Sequence, residues 1–151
     1  MNILLITHSN DNDSVTLVSQ LLEKQEAKVF RFNTDLYPTQ TMMSSEYVDG
    51  KRQLTLKTPS FTVNLDTIDA VWYRRLRTGS KIPKDIEKQL YKASIEESKR
   101  TFIGMIESIG KFTMDPYHKV RYTENKQLQL ELAVSLGIEV PKTLFTKILK
   151  T

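Results

Sequence analysis

The chain has 151 residues, 39% apolar and 26% charged, and its 22 Lys and Arg against 18 Asp and Glu give a formal charge of +4. That length and balance fit one folded domain over residues 1–151 and exclude a disordered chain, while the small basic excess favours an acidic partner without demanding one. With no cysteine, disulfides, thiolate nucleophiles and zinc thiolate sites are excluded together, and a reducing, cytoplasmic address is expected.

Asn2-Ile-Leu-Leu-Ile-Thr7 is a continuous apolar run, the pattern of a strand covered on both faces of a parallel sheet. It has no basic leader and breaks at His8 to Asp13, so it predicts neither a signal peptide nor a membrane span. Behind this polar loop, Val15, Val18, Leu21 and Leu22 recur at helical spacing, with Asp13 or Ser14 placed to cap the first turn. Lys28-Val-Phe-Arg-Phe32 is a second strand. The opening therefore reads as β-α-β, a right-handed crossover whose loops gather at the carboxyl ends of the strands.

Between Met42 and Asn64 the pattern changes to alternation. Gln53 to Leu56 and Phe61 to Asn64, with turn signals at Asp49-Gly50 and Thr58-Pro59, predict an antiparallel hairpin excursion. Ile68 to Arg74 returns to a buried strand and runs into Arg74, Arg75 and Arg77. A turn at Gly79 and Pro83 follows. Asp85 to Ile109 predicts a long helix with Ile86, Leu90, Tyr91, Ile95, Phe102, Met105, Ile106 and Ile109 on one face. Phe112 to Met114 is a short strand, and Asn125 to Leu136 a helix ended by Gly137. The fold class is α/β: a small, open, mostly parallel sheet flanked by helices, with an antiparallel excursion.

The motifs exclude more than they assign. The loop after the first strand has no glycine to cradle a dinucleotide phosphate. Asp11 and Asp13 sit where a response-regulator receiver carries acidic residues, but arginines follow the strand that should deliver the phospho-acceptor. A calcium loop is excluded too, because Val15 stands where an oxygen ligand is needed. His8 and His118 share no motif and read as ordinary loop or core residues. Arg74, Arg75, Arg77, Lys81 and Lys84 form a basic stretch at the edge where open α/β sheets bind ligands; it reads equally as a solvated loop paired with the helix near Glu87, Glu96 and Glu97. Nucleic acid is not expected, since Trp72 and Tyr73 read as strand residues and not as exposed stacking platforms. No serine, histidine and carboxylate are spaced as a nucleophile and its base, so no self-contained active site is expected.

Several phrases together resemble the pre-ATP-grasp region of microviridin-type ribosomal peptide maturases. They are Ile6-Thr-His-Ser9 with Asn10-Asp11, Val29-Phe-Arg-Phe-Asn-Thr-Asp-Leu-Tyr-Pro38, Val71-Trp-Tyr-Arg-Arg75, and Asn125 to Leu130 with Leu136-Gly-Ile-Glu-Val-Pro141. The resemblance implies a Rossmann-like pre-ATP-grasp fold, and kinship with the ribosomal-protein glutamate ligase group. It also implies the N-terminal part of a ligase that uses ATP and magnesium to join peptide side chains as lactones or lactams. The family's magnesium ligands and most of its nucleotide pocket lie beyond the matched region, so no catalytic residue, no metal ligand and no tight cofactor binding are expected here. The chain is expected to be inactive alone. The expected partners are a precursor peptide and the ATP-grasp domains, with homo-oligomerisation left open and no membrane. Lys126 matches a helix-opening lysine that contacts nucleotide phosphate in many ATP-grasp proteins, a role its point charge suits. His8, Ser9, Asn10, Arg74 and Arg75 are the expected cleft-facing set. The alternative is a stand-alone module that binds an anionic peptide or nucleotide. Where the family runs on after Phe145-Thr146, this chain closes with Lys147 to Thr151.

Overall fold

The computed structural model describes residues 1–146; the closing Lys147 to Thr151 lies outside them. The chain divides into two compact units, Met1–Tyr117 and His118–Thr151.

In the first unit the apolar run forms β1 (Asn2–Thr7), followed by α1 (Asp13–Lys24) and β2 (Lys28–Asn33). β1 and β2 pair in parallel, Asn2 opposite Lys28 through Thr7 opposite Asn33. The strand burial is what the run predicts, with Leu4, Leu5 and Ile6 fully buried. α1 seats Val15 on the sheet, while Leu21 is 60% exposed instead of facing in. At 3.6 residues per turn, position 21 lies roughly 240° around from position 15, on the outer flank. The N-cap is Asn12, not Asp13 or Ser14, and its side chain makes no capping bond. Its Oδ1 instead accepts from Arg74 Nη2 at 2.9 Å.

The excursion is a three-stranded antiparallel sheet in the order β3 (Met42–Val48), β4 (Lys51–Lys57) and β5 (Thr62–Asn64). Asp49 and Gly50 both have positive φ, 49° and 71°. That is the backbone demanded by the two-residue hairpin turn whose twist matches its strands. β6 (Ala70–Tyr73) then pairs with β1 on the side away from β2, and α2 (Lys88–Glu107) leads to β7 (Phe112–Met114). The parallel sheet runs β2-β1-β6-β7.

One face of that sheet, with Leu4, Phe30, Phe32, Val71 and Tyr73, meets the inner face of the antiparallel sheet through Leu54, Leu56 and Val63. Phe102, Ile106 and Ile109 close this core. α2 starts later than the periodicity predicts, at Lys88 instead of Asp85. Glu87 before it has an extended backbone, ψ 134°, so Ile86 lies outside the helix and is exposed, and Leu90 in the first turn is exposed as well. Gly79 has φ +76°, and a Cβ there would stand 3.1 Å from Ile95 Cγ1, so the turn that seats α2 needs glycine twice over.

The second unit contains α4 (Lys126–Ser135), preceded by the short α3 (Tyr117–Thr123), which straddles the boundary and which the sequence pattern did not predict. Asn125 caps α4, its Oδ1 accepting from the N–H groups of Gln127 and Leu128. Gly137 follows at φ 71°, the left-handed cap the sequence predicts.

Candidate functional site

Strand order reverses at β1: the chain crosses to β2 on one side and later returns to β6 on the other. In open α/β sheets such a reversal leaves a crevice at the carboxyl ends of the two central strands. Here the loop after β1 supplies His8 to Asn12, and the loop after β6 supplies Arg74 and Arg75.

Asp11 joins the two loops. Its carboxylate, fully buried, accepts from Arg74 Nε at 2.7 Å and lies 3.6 Å from Arg75 Nε. The Thr7 hydroxyl and the Asn12 N–H also donate to it. Burial pushes the Asp11 carboxyl up, but the hydrogen bonds from Arg74, Thr7 and Asn12 and the charge of Arg74 outweigh it and hold the group well below the usual carboxylate range. The Arg74 guanidinium also lies 5.8 Å from the centre of the Trp72 ring. Arg74 is only 21% exposed and is committed to this cluster, whereas Arg75 is 51% exposed and offers its charge to solvent. Acidic residues near Glu87, Glu96 and Glu97 are not what these two arginines pair with.

The turn after β2 is welded to the same edge. Thr34 Oγ1 donates to Thr7 O at 2.7 Å and accepts from the Arg77 N–H at 3.0 Å, bridging the ends of β1 and β6. Asp35 Oδ1 accepts from the Ser9 N–H and hydroxyl at 2.7 and 3.0 Å. Burial raises the Asp35 carboxyl, and the two Ser9 bonds and the charge of Lys81 bring it below its ordinary value. Beneath, Arg31 Nη2 donates to the carbonyls of His8 and Ser9.

Of the predicted cleft set, Ser9, Asn10 and Arg75 are exposed in the loops at this edge. His8 is 2% exposed, and among the described residues its Nε2 has no hydrogen-bond partner. Its ring continues the burial of β1 and is packed beneath the edge, not displayed on it. Lys126 belongs to the second unit, at the exposed start of α4, where its Nζ donates to Gln129 Oε1 at 3.0 Å. Sequence reasoning missed Thr34, Asp35 and Arg31 as the residues that fix the edge. Only the phrase from Val29 to Pro38 pointed to them.

A family model described as the MvdD pre-ATP-grasp domain matches residues 2–121. The chain belongs to that family. No curated protein matches its sequence. Among solved structures, this pre-ATP-grasp chain is similar to the macrocyclase MdnC of Microcystis aeruginosa MRC bound with precursor peptide MdnA: 38% identity, TM-score 0.87, 95% of this chain and 46% of that one. A RiPP-associated ATP-grasp ligase of Chryseobacterium gregarium, in complex with ADP and a leader and core peptide, is 34% identical with TM-score 0.83, over 93% of this chain and 43% of that one. The macrocyclase MdnB of Microcystis aeruginosa MRC is 28% identical with TM-score 0.86, over 95% and 47%. The chain thus spans less than half the length of the ligases it matches.

Proposed function

We propose that this pre-ATP-grasp domain is the N-terminal part of an ATP-dependent peptide ligase that forms side-chain lactones or lactams in a ribosomal precursor peptide. It supplies scaffold and one wall of the cleft, and no catalytic group. The observation that carries the reading is the switch-point edge: two arginines share one buried carboxylate, so positive charge is left over at Arg75. That charge suits the acidic side chains such a ligase must activate.

Among the described residues no three His, Asp or Glu side chains converge to hold a metal ion. For the nucleotide, Lys126 is the matching group, and its ammonium suits a phosphate. As a cation in the first turn of α4 it opposes the helix dipole slightly, a cost that phosphate contact would offset.

Two outcomes are expected. The isolated chain, given ATP, magnesium and a precursor peptide, should neither release phosphate nor cyclise the peptide. Turnover by pure protein that a point substitution in this chain abolished would overturn the reading in favour of a self-contained enzyme. In a full-length ligase carrying this domain, Lys126→Ala should weaken ATP binding about tenfold to a hundredfold, the loss of one charge-assisted contact of about 1.5–3 kcal/mol. Calorimetry reads this directly, and an unchanged affinity would make Lys126 an ordinary surface lysine.

A further inference from the structure

We infer that the free edge of β2 is a docking strand for an extended acidic peptide, at a site that adjoins the Arg75 edge through Arg31 and is independent of the ligase reading. β2 is one of the two edge strands of the parallel sheet, with β7 the other. The Lys28 N–H donates to Met1 O, so Lys28, Phe30 and Phe32 turn their main-chain groups toward β1. By strand alternation, Val29, Arg31 and Asn33 turn theirs outward. Among the described residues no strand pairs with β2 on that outward side. Such a row is a template for another strand.

The edge is accompanied by a groove of about 420 Å³, with Val29, Arg31 and Asn33 on one side and Thr58 and Phe61 on the other. Thr41 also lines it. Its side chain is 3% exposed and its Oγ1 is buried with no partner among the described residues. A buried hydroxyl left unpaired costs free energy, and a peptide amide or carbonyl would pair it if the groove widened slightly on entry.

Charge selects the occupant. No acidic side chain lines the groove, while Arg31 does, and Lys28 Nζ lies 5.0 Å from the centre of the Phe30 ring, which packs edge-on against Phe61 at 5.4 Å. An added strand would alternate its side chains across the edge. One set would stand beside Arg31, where carboxylates are favoured, and the other beside Phe61 and Leu36, where apolar groups are. The antiparallel sheet is a poorer candidate: its pocket is lined by Glu46, Asp49 and Asp66 as well as Lys51 and Arg52, and Arg52 is already paired with Asp66.

The test uses the full chain, isotope-labelled, and synthetic peptides of about six residues, the length of an ordinary strand. One peptide alternates Val and Glu, one alternates Val and Lys, and one is the Val and Glu peptide with a central proline. The first should shift the amide resonances of Val29, Arg31 and Asn33 and slow their exchange, and the other two should not. Thr41→Val should weaken binding about twofold to tenfold with the amide spectrum otherwise unchanged. Val29→Pro, which removes one outward donor and no bond to β1, should do the same if Thr41→Val perturbs folding. Equal binding of the lysine peptide, shifts confined to Ser9, Asn10 and Arg75, or pairing of two copies through β2 in sedimentation with no peptide effect would each overturn the proposal. Failure here leaves the ligase reading intact, because no ATP or cyclisation readout is involved.

Discussion

Asp11→Ala should cost about 2–4 kcal/mol of unfolding free energy. The carboxylate is fully buried and receives Arg74 at 2.7 Å, the Thr7 hydroxyl and the Asn12 N–H. Removing it strands a guanidinium that is itself only 21% exposed. Breaking a fully buried pair costs about 3–5 kcal/mol, and the access of Arg74 and Arg75 to water lowers that figure here. Asp11→Asn, which keeps the shape and loses the charge, should fall between the variant and the natural chain. The effect also has a pH signature. Because the folded carboxyl lies below its ordinary value, its stabilisation is fully present above about pH 4 and drains away as pH falls further. Urea unfolding at neutral pH should separate the natural chain from Asp11→Ala, and the two curves should converge in acid. A gap that stayed constant down to about pH 2 would show that Asp11 acts by packing and not by charge.

Phe102→Ala should be costlier still, about 3–5 kcal/mol, because a fully buried aromatic is replaced by a void that its neighbours fill only in part. Phe102 is 0% exposed and sits 5.5 Å from Phe32 and 6.2 Å from Tyr37, centre to centre. It therefore ties α2 both to β2 and to the turn that carries the edge loops. Thermal unfolding would give the loss, and a variant within 1 kcal/mol or so of the natural chain would mean that the site collapses around the deletion, which the packing of three rings at this point argues against.

The parts of the fold legible in the sequence are those with local causes. β1 is a continuous apolar run, β2 is a short strand whose Phe30 and Phe32 alternate with Val29 and Arg31, the β3–β4 turn carries Asp-Gly, and α4 carries both its caps. β3 was implied by its hairpin but not delimited, because Met42, Tyr47 and Val48 are exposed and obscure the alternation. α1 and α2 fall in the order the periodicity predicts, but Leu21, Ile86 and Leu90, which share its apolar stripes, are exposed. A periodicity marks a stripe without saying how wide a stripe the neighbours will cover. The basic run after β6 was visible as a feature of composition. Its partner was not, since Asp11 lies 63 residues away and nothing in either loop encodes the pairing. The open parallel sheet makes that contact when it places β6 beside β1.

The Thr34 bridge has a thermodynamic consequence. One hydroxyl fixes the end of β1 to the start of the loop after β6, while Asp35 fixes Ser9 and Arg31 supports the carbonyls beneath. A ligand reaching this edge meets backbone that is already ordered, so little conformational entropy is lost when it binds. Binding confined to the edge should then be nearly rigid-body, with a heat capacity change set by the apolar area covered at the contact and no added contribution from loops that fold around the guest.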